Sequence, residues 1–360
     1  MKKSVSGIGL ILLLVLSFGC SEDNGGVDDE FDRGQILENI ANNLIVPAYR
    51  DFADKTDALV QNMTVFTTQP STDNLATVKN AWKAATLSWK TAEAFNFGPV
   101  DQMTLETSID LWPTSANGIE ESIQNFNGSD TYLQGIGSNR KGLPAIEYLL
   151  FHADETQIIN EFTDQHRAAY LSLLSHALND HAGTLLNAWE NGYKNTFITN
   201  IGNDANASTT LLSNEMIFLL ETVKNYKVAT PLGLRTLSDP LPDQVESRYA
   251  GISLDLIEAN LNIIENVFTG QDGRGFDDYL DALNIDDGEG NSLSTTISQQ
   301  IEKSHQSLEA INDPLENAVL TQQEAVEQLF IDLQELTVLM KNDMMSQLGL
   351  LVIFSDNDGD

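Results

Sequence analysis

The chain has 360 residues, of which 53 are Asp or Glu and 19 are Lys or Arg, so its formal net charge is −34. Such acidity argues against nucleic acid or an anionic membrane face as a partner, because phosphate binding needs clustered cations. Hydrophobic residues make up 41% of the chain, which is enough for a sizeable core. The only cysteine is Cys20, so intramolecular disulfides and zinc sites built from several cysteines are excluded.

Residues 1–19 have the pattern of a bacterial lipoprotein signal peptide. Two lysines precede the apolar run 7–16, which is too short to span a bilayer at about 20 residues, and a glycine stands directly before Cys20. We therefore expect cleavage before Cys20 and a lipid anchor on that cysteine. A plain secretory signal with an incidental cysteine is the alternative. The acidic, polar residues 20–33 predict a disordered tether.

The pattern of the remaining residues predicts helices, because apolar residues recur at i, i+3, i+4 and i+7 and few segments alternate between apolar and polar residues. In chain order we predict helices at 35–60 (with a kink at Pro47), 73–97, from 144, 160–192, 209–227, 243–269, 293–311 and 321–350. Residues 100–140 are rich in Asn, Gly and Ser and predict irregular structure. Long helices favour bundles. The predicted fold class is all-α, with two helical-bundle lobes, 34–155 and 156–360, and a cleft between them.

Three carboxylates lie in apolar or aromatic surroundings rather than on a solvated face. Glu93 follows a tryptophan by four positions, so the two side chains share a helix face. Glu147 and Glu215 lie within apolar runs. A carboxylate with so much apolar surface around it is either exposed on one side or paired.

A bound cation would offset the charge of such carboxylates, and their hard oxygen atoms suit Ca²⁺, Mg²⁺ or Fe³⁺ better than zinc. The alternative is a set of ion pairs with Lys83, Arg140, Lys141, Lys227 or Arg248. The five histidines include no H-E-x-x-H pair, and the sequence has no P-loop, G-x-S-x-G or G-x-G-x-x-G motif.

Six blocks of the chain carry a family resemblance. They are W-x6-W-x3-E-A-F at 82–95, D-L-W-P at 110–113, G-L-P-A-I-E-Y at 142–148, N-E at 214–215 with T-P-L-G at 230–233, V-E-S-R-Y at 245–249, and the last block at 348–360. In this order they resemble the imelysin family, over roughly residues 35–360. The resemblance implies a two-lobed helical protein of the cell envelope, of an iron-regulated type, with its motif near the lobe interface.

The resemblance also implies which residues form the site. The metal candidates are Glu93, Glu147 and Glu215, for iron, calcium or zinc. The pocket candidates are Trp112, Pro144, Lys227 and Arg248, and Asp358 and Asp360 match the terminal D-G-D of the family. The chain departs from the family motif G-x-H-x-x-E at Pro144, which has no ligand atom where the family has histidine.

The expected function is a lipid-anchored binding protein of iron uptake, on the periplasmic or outer side of the outer membrane. Its partner would be iron, another metal or an iron-bearing ligand in the inter-lobe cleft. One alternative is a metallopeptidase, the activity for which the family was named. Pro144 weakens that alternative, because catalytic zinc normally keeps three protein ligands. The other alternative is a non-catalytic surface module that binds a peptide or glycan without metal.

Overall fold

A computed structural model of the chain describes residues 31–353. Within that range the regular secondary structure is helical, apart from an isolated bridge between Asp286 and Ser292, so the all-α prediction is confirmed. The α-helices are α1 (Arg33–Ile40), α2 (Val46–Thr68), α3 (Thr72–Ala92), α4 (Pro99–Met103), α5 (Glu106–Ile109), α6 (Ala116–Asn125), α7 (Gly142–Phe151), α8 (Glu155–Glu161), α9 (Gln165–Ala188), α10 (Lys194–Thr199), α11 (Ser208–Thr222), α12 (Ser253–Thr269), α13 (Phe276–Ala282), α14 (Leu293–Glu309), α15 (Leu315–Thr321), α16 (Gln323–Val338) and α17 (Met345–Gln347).

Several of these helices are joined end to end by π-helical segments. Ala41–Ile45 joins α1 to α2, Trp189–Tyr193 joins α9 to α10, and Leu339–Met344 joins α16 to α17. Val223–Ala229 extends α11 in the same way. A π-helical turn interrupts the regular hydrogen-bond pattern of the α-helix and is frequent at functional sites. Each segment therefore sets the direction of the side chains that follow it.

Helices α2, α3 and α9 pack around an aromatic core. The short connection 69–71 makes α2 and α3 antiparallel neighbours, and α9 packs along α2. The ring centroids of Phe52 and Trp89 lie 5.1 Å apart, and those of Tyr49 and Trp189 lie 6.2 Å apart. Helix α12 packs against α3, and α14 pairs with α16. This packing fixes the C-terminal end of α3, where the candidate site begins.

The ends of some helices differ from the prediction. Just before Pro47, where a kink was predicted, lies the π-helical segment Ala41–Ile45. The helix predicted at 243–269 begins only at Ser253, because the preceding loop turns back and donates backbone N–H groups to Glu147. The irregular segment 100–140 contains the short helices α4, α5 and α6.

The two-lobe division at residue 155 stays a prediction. The described residues belong to one compact unit, and α9, which follows the predicted boundary, packs along α2, which precedes it. Helix α1 already begins at Arg33, inside the predicted tether. Cys20, Asp358 and Asp360 lie outside the described residues. Among the helices of residues 31–353, none has the length and apolarity that crossing a membrane requires.

Gly142 begins α7 at a point where the neighbouring chain leaves no room for a side chain. Its φ is +66°, and a Cβ atom there would meet the carbonyl oxygen of Ile109 at 2.1 Å. The carbonyl oxygen of the next residue, Leu143, accepts a hydrogen bond of 3.0 Å from Nε1 of Trp82. These contacts hold α7, which carries Glu147, against α3 and α5.

We expect Gly142→Ala to destabilise the protein more than Gly128→Ala. Both glycines have positive φ, but a Cβ on Gly128 would meet nothing within 4 Å. The two variants therefore share the left-handed backbone cost of about 1–2 kcal/mol, and only Gly142→Ala adds a backbone clash of about 1–3 kcal/mol. Urea unfolding of both variants measures the difference. Equal losses would show that the contact with Ile109 relaxes freely.

Candidate functional site

Two lysines are almost completely buried where α3 ends. The side chains of Lys90 and Lys227 are each 2% exposed. The Nζ atom of Lys90 lies 2.9 Å from Oε2 of Glu93 and 2.8 Å from Oε1 of Glu246, and it also pairs with Asp110. Each of these carboxylates comes from a different segment of the chain: the end of α3, the loop after α5 and the loop before α12.

Lys227 meets two of the same carboxylates from the other side. Its Nζ atom lies 3.0 Å from Oε2 of Glu246 and 3.4 Å from Oε1 of Glu93, and it donates a hydrogen bond of 2.6 Å to Oδ1 of Asn260. The Nδ2 atom of Asn260 donates to Oε1 of Glu93 at 2.7 Å and to the carbonyl oxygen of Lys90 at 2.8 Å. We call Lys90, Glu93, Asp110, Lys227, Glu246 and Asn260 the buried ion network.

The charges in the buried ion network stabilise one another. Burial alone would lower the pKa of Lys90, but Asp110, Glu246 and Glu93 together raise that pKa well above its ordinary value. Burial alone would raise the pKa of Glu246, but Lys227 and Lys90 bring it below its ordinary value. Lys90 is therefore held protonated and Glu246 ionised, and in the network three carboxyl groups face two lysine side chains.

A small cavity of about 70 Å³ opens beside this network. Glu93 and Asp110 of the network line it, together with two further carboxylates, Glu106 and Glu215. Trp112 and Phe218 supply aromatic surface to the same cavity. The cavity is therefore lined by more carboxylates than the two lysines neutralise.

Glu215 is the carboxylate that accounts for this excess of carboxylates over lysines. It projects from α11 and, within residues 31–353, has no hydrogen-bond or ion-pair partner. Burial, followed by the nearby charges of Glu106, Asp101 and Glu93, raises the pKa of Glu215 well above its ordinary value. A positive group arriving in the cavity would relieve this repulsion.

Glu106 lines the same cavity as Glu215, and its pKa is also raised. Burial raises its pKa, the charge of Glu93 adds to the rise, and a hydrogen bond from Nδ2 of Asn96 opposes it. Glu106 stands at the start of α5. Of these two carboxylates, Glu106 has an amide partner, and Glu215 has none within the described residues.

Glu147 occupies a separate position. Its Oε1 atom accepts hydrogen bonds of 2.9 Å from the backbone N–H groups of Tyr249 and Ala250. Burial raises the pKa of Glu147 to about 7, although these N–H groups and the Ser247 side chain oppose the rise. Its backbone donors therefore come from the loop before α12.

The structure brings together some of the predicted site residues and separates others. Four of the predicted site residues line the cavity, namely Glu93, Trp112, Glu215 and Lys227. Glu147, Pro144 and Arg248 are not part of its lining. Pro144 is buried within α7. The guanidinium of Arg248 pairs with Asp243 and stacks on the ring of Tyr249, 4.7 Å from its centroid.

The side chains of residues 31–353 do not by themselves fit a resident metal ion. Within the described range 31–353, no group of three or more His, Cys, Asp or Glu side chains is placed to hold one. Glu93 already pairs with two lysines, Glu147 accepts from backbone N–H groups, and Pro144 offers no donor atom. Metal coordination by Glu93, Glu147 and Glu215 together stays a prediction. The alternative drawn from the sequence was an ion pair with Lys227, and the structure contains this ion pair between Lys227 and Glu93.

Sequence reasoning missed most of the buried ion network. The missed residues of the network are Lys90, Asp110, Glu246 and Asn260, and Glu106 of the cavity was missed as well. Asp110 and Glu246 lie within the blocks 110–113 and 245–249 that resemble the family. Their position within these blocks was the feature of the sequence that could have identified them as site residues. Lys90 follows a core tryptophan and precedes Glu93 by three positions, a spacing that allows an ion pair at a helix end.

With this geometry described, comparison with known proteins assigns the family. The Peptidase M75 family model, described as imelysin, matches residues 45–340. The chain belongs to the imelysin family. The match spans α3, the segment carrying Lys227, and the loop carrying Glu246, so the whole buried ion network lies within the imelysin region.

Individual imelysin-like proteins resemble the chain at low identity. Iron-regulated protein A of Synechococcus elongatus is 24% identical over 347 residues, which cover 91% of this chain and 90% of that protein. A crystal structure described as an iron-regulated protein A precursor from Parabacteroides distasonis has a TM-score of 0.74 at 22% identity, covering 86% of this chain and 93% of its own. An imelysin-like protein from Psychrobacter arcticum has a TM-score of 0.72 at 22% identity, covering 89% and 98%. These two structures share the fold.

We expect Lys227→Met to destabilise this imelysin by about 3–5 kcal/mol, because it leaves Glu246 and Glu93 buried without one of their cations. Lys83→Met is the matched control. Lys83 also pairs with a carboxylate, that of Asp255, but the two side chains are 42% and 51% exposed, and such a pair contributes about 0–1 kcal/mol. Denaturant unfolding of both variants measures the difference. A loss at Lys227 as small as that at Lys83 would contradict the importance of the buried ion network.

We expect Glu147 to make stability fall as the pH rises. The pKa of Glu147 is about 7 in the folded protein against an ordinary 4.5, so the native state binds more protons than the unfolded state between these values. Stability is therefore lost as the pH rises through that window. From about pH 5 to about pH 8, wild type should lose on the order of 2–3 kcal/mol relative to Glu147→Gln. Urea unfolding at both pH values measures this, and parallel pH profiles would contradict it.

Proposed function

We propose that this imelysin is a lipid-anchored binding protein of the cell envelope that takes part in iron uptake, and that it binds a positively charged iron species at the cavity beside the buried ion network. The observation that carries the proposal is Glu215, a carboxylate that has no partner within the described residues and lines a cavity with a surplus of negative charge. A cation is the ligand that such a cavity favours.

The size of the cavity bears on the form of the ligand. About 70 Å³ is far below the roughly 300–1,000 Å³ of sites that enclose a drug-sized molecule. Since the side chains within the described range 31–353 do not complete a metal coordination sphere, we propose that the iron brings its own ligands, water or a chelator. Part of that complex would enter the cavity and the rest would lie at its mouth.

The aromatic residues of the cavity fit the same ligand class. Trp112 and Phe218 line it beside the carboxylates, and the faces of aromatic rings attract cations by about 0.5–2 kcal/mol. Lys90 and Lys227 also line the cavity, and they contribute by pairing with Glu93 and Asp110 and so fixing the positions of these carboxylates.

The link to iron and to the envelope comes from other features. A relative whose alignment covers 91% of the chain carries the name iron-regulated protein A. The apolar run 7–16 followed by Cys20 supports the anchor, and a protein anchored in this way would have its binding site outside the cytoplasm. A peptidase function gains no support, because Oε1 of Glu147 accepts hydrogen bonds from two backbone N–H groups and Pro144 offers no ligand atom.

The test uses two cations and measures binding by calorimetry. One is aqueous Fe²⁺ under anaerobic conditions, and the other is hexaamminecobalt(III), whose ammonia ligands do not exchange. If the cavity recognises charge through the ligands that the ion brings, both should bind, and Glu215→Gln should weaken both by about tenfold or more. Glu324→Gln is the matched control, since Glu324 is an exposed carboxylate at the start of α16 and its loss should leave both affinities unchanged.

Other outcomes would overturn the proposal or change its form. If neither cation binds, or if Glu215→Gln and Glu324→Gln weaken binding equally, the cavity is not the site. If Fe²⁺ alone binds and depends on Glu215, the protein coordinates the ion directly, which would reject the proposal that iron arrives with its own ligands.

A further inference from the structure

The volume of the cavity beside the buried ion network limits which cationic group can enter it. A cavity of about 150 Å³ holds one benzene molecule, so the cavity of about 70 Å³ has room for about three heavy atoms. An octahedral ion with about six water ligands is too large to enter whole. A primary ammonium group with two methylene groups has three heavy atoms and fits, whereas a guanidinium group has four before its stem is counted.

The lining of the cavity suits a charged group on an apolar stem. Four of its residues stand at i, i+3, i+4 and i+7 of α11 and so form one face of that helix, namely Glu215, Phe218, Leu219 and Thr222. Glu215 lies near a fully buried group, because burial and then the charge of Glu215 raise the pKa of Tyr49, which is 0% exposed. Phe218 and Leu219 follow one helical turn later, about 5.4 Å along the axis, and Phe218 is 44% exposed. The face therefore leads from a carboxylate near the core, past apolar side chains, toward solvent.

Carboxylates of the same lining already bind two ammonium groups of the chain. The Nζ atom of Lys90 lies 2.9 Å from Glu93 and also pairs with Asp110, and that of Lys227 lies 3.4 Å from Glu93. Within residues 31–353, the remaining carboxylates of the lining, Glu106 and Glu215, pair with neither lysine. A primary ammonium group only donates hydrogen bonds. A third such group would therefore meet acceptors that the two lysines leave unused.

We propose that this cavity binds a primary ammonium group at the end of an alkyl chain, with the nitrogen at Glu215 and the methylene groups against Leu219. The inference rests on the proposed function for the site, and it names the chemical class of the ligand. In that function the ammonium group is an arm of the organic molecule that carries the iron. The arm enters the cavity, while the iron and its chelating groups stay outside.

The first experiment titrates n-butylammonium chloride into the full chain and follows the indole N–H signal of Trp112 by NMR. Trp112 lines the cavity and is partly exposed, whereas the other three tryptophans of the chain are at most 1% exposed. The signal should shift in a saturable way, and Glu215→Gln should weaken the binding about fivefold or more. Glu324→Gln, at an exposed position of α16, is the matched control and should leave the affinity unchanged.

Two further probes separate an ammonium site from the general attraction of cations to an acidic protein. Tetramethylammonium has the same charge but a larger head group without N–H donors, and n-butanol has the same stem without the charge. Each should bind about fivefold or more weakly than n-butylammonium. Equal binding of tetramethylammonium, equal effects of Glu215→Gln and Glu324→Gln, or the lack of a saturable shift would overturn the inference.

The second experiment distinguishes this inference from the proposed function. Calorimetry compares a linear iron(III) trihydroxamate that ends in a primary amine with the same chelate whose amine is acetylated. The chelate with the free amine should bind about tenfold or more tightly than the acetylated one, and Glu215→Gln should remove that difference. If both chelates bind alike while hexaamminecobalt(III) binds through Glu215, the proposed function stands and the ammonium site is rejected. If n-butylammonium binds through Glu215 while neither chelate nor hexaamminecobalt(III) binds, the ammonium site stands and the iron-binding function is rejected.

Discussion

The pairing of Lys90 and Lys227 with buried carboxylates is the constraint on which this site depends. An unpaired ammonium group at 2% exposure would lose several kcal/mol of hydration free energy, so each lysine has to be met by carboxylates and an amide. Those partners come from α3, the loop after α5, the loop before α12 and α12 itself. One electrostatic requirement therefore joins segments that are more than 150 positions apart in sequence, as Lys90 and Glu246 are.

The loop before α12 supplies a carboxylate to the buried lysines and also binds the carboxylate of Glu147. Glu246 enters the buried ion network, and the backbone N–H groups of Tyr249 and Ala250 bind the carboxylate of Glu147. The same loop thus fixes α7 and α3 at once. Because the two lysines of the cavity pair with Glu93, Asp110 and Glu246, the other carboxylates of its lining, Glu106 and Glu215, are left with little to neutralise them.

The sequence predicted the helices well and the site only in part. Helical periodicity identifies an amphipathic helix without reference to the rest of the chain, which is why α3, α9, α11 and α14 lie close to their predicted positions. The start of α12 was predicted too early because the residues before it are fixed by a distant partner, Glu147. The metal set was chosen by apolar surroundings, and that criterion cannot separate Glu93, which pairs with lysines, from Glu215, which does not. Lys90 was overlooked because a buried lysine looks in sequence like a solvated one.

The π-helical segment Val223–Ala229 has a consequence for how imelysins can be compared. Lys227 lies inside that segment, and a π-helical turn accommodates one residue more than the α-helix around it. Removal of a single residue upstream would restore a regular helix and rotate every following side chain by about 100° about the axis, which would take the ammonium group away from Glu246. A relative that lacks this extra residue would therefore align with a one-residue gap near position 225, and a lysine matched by column alone would point in another direction.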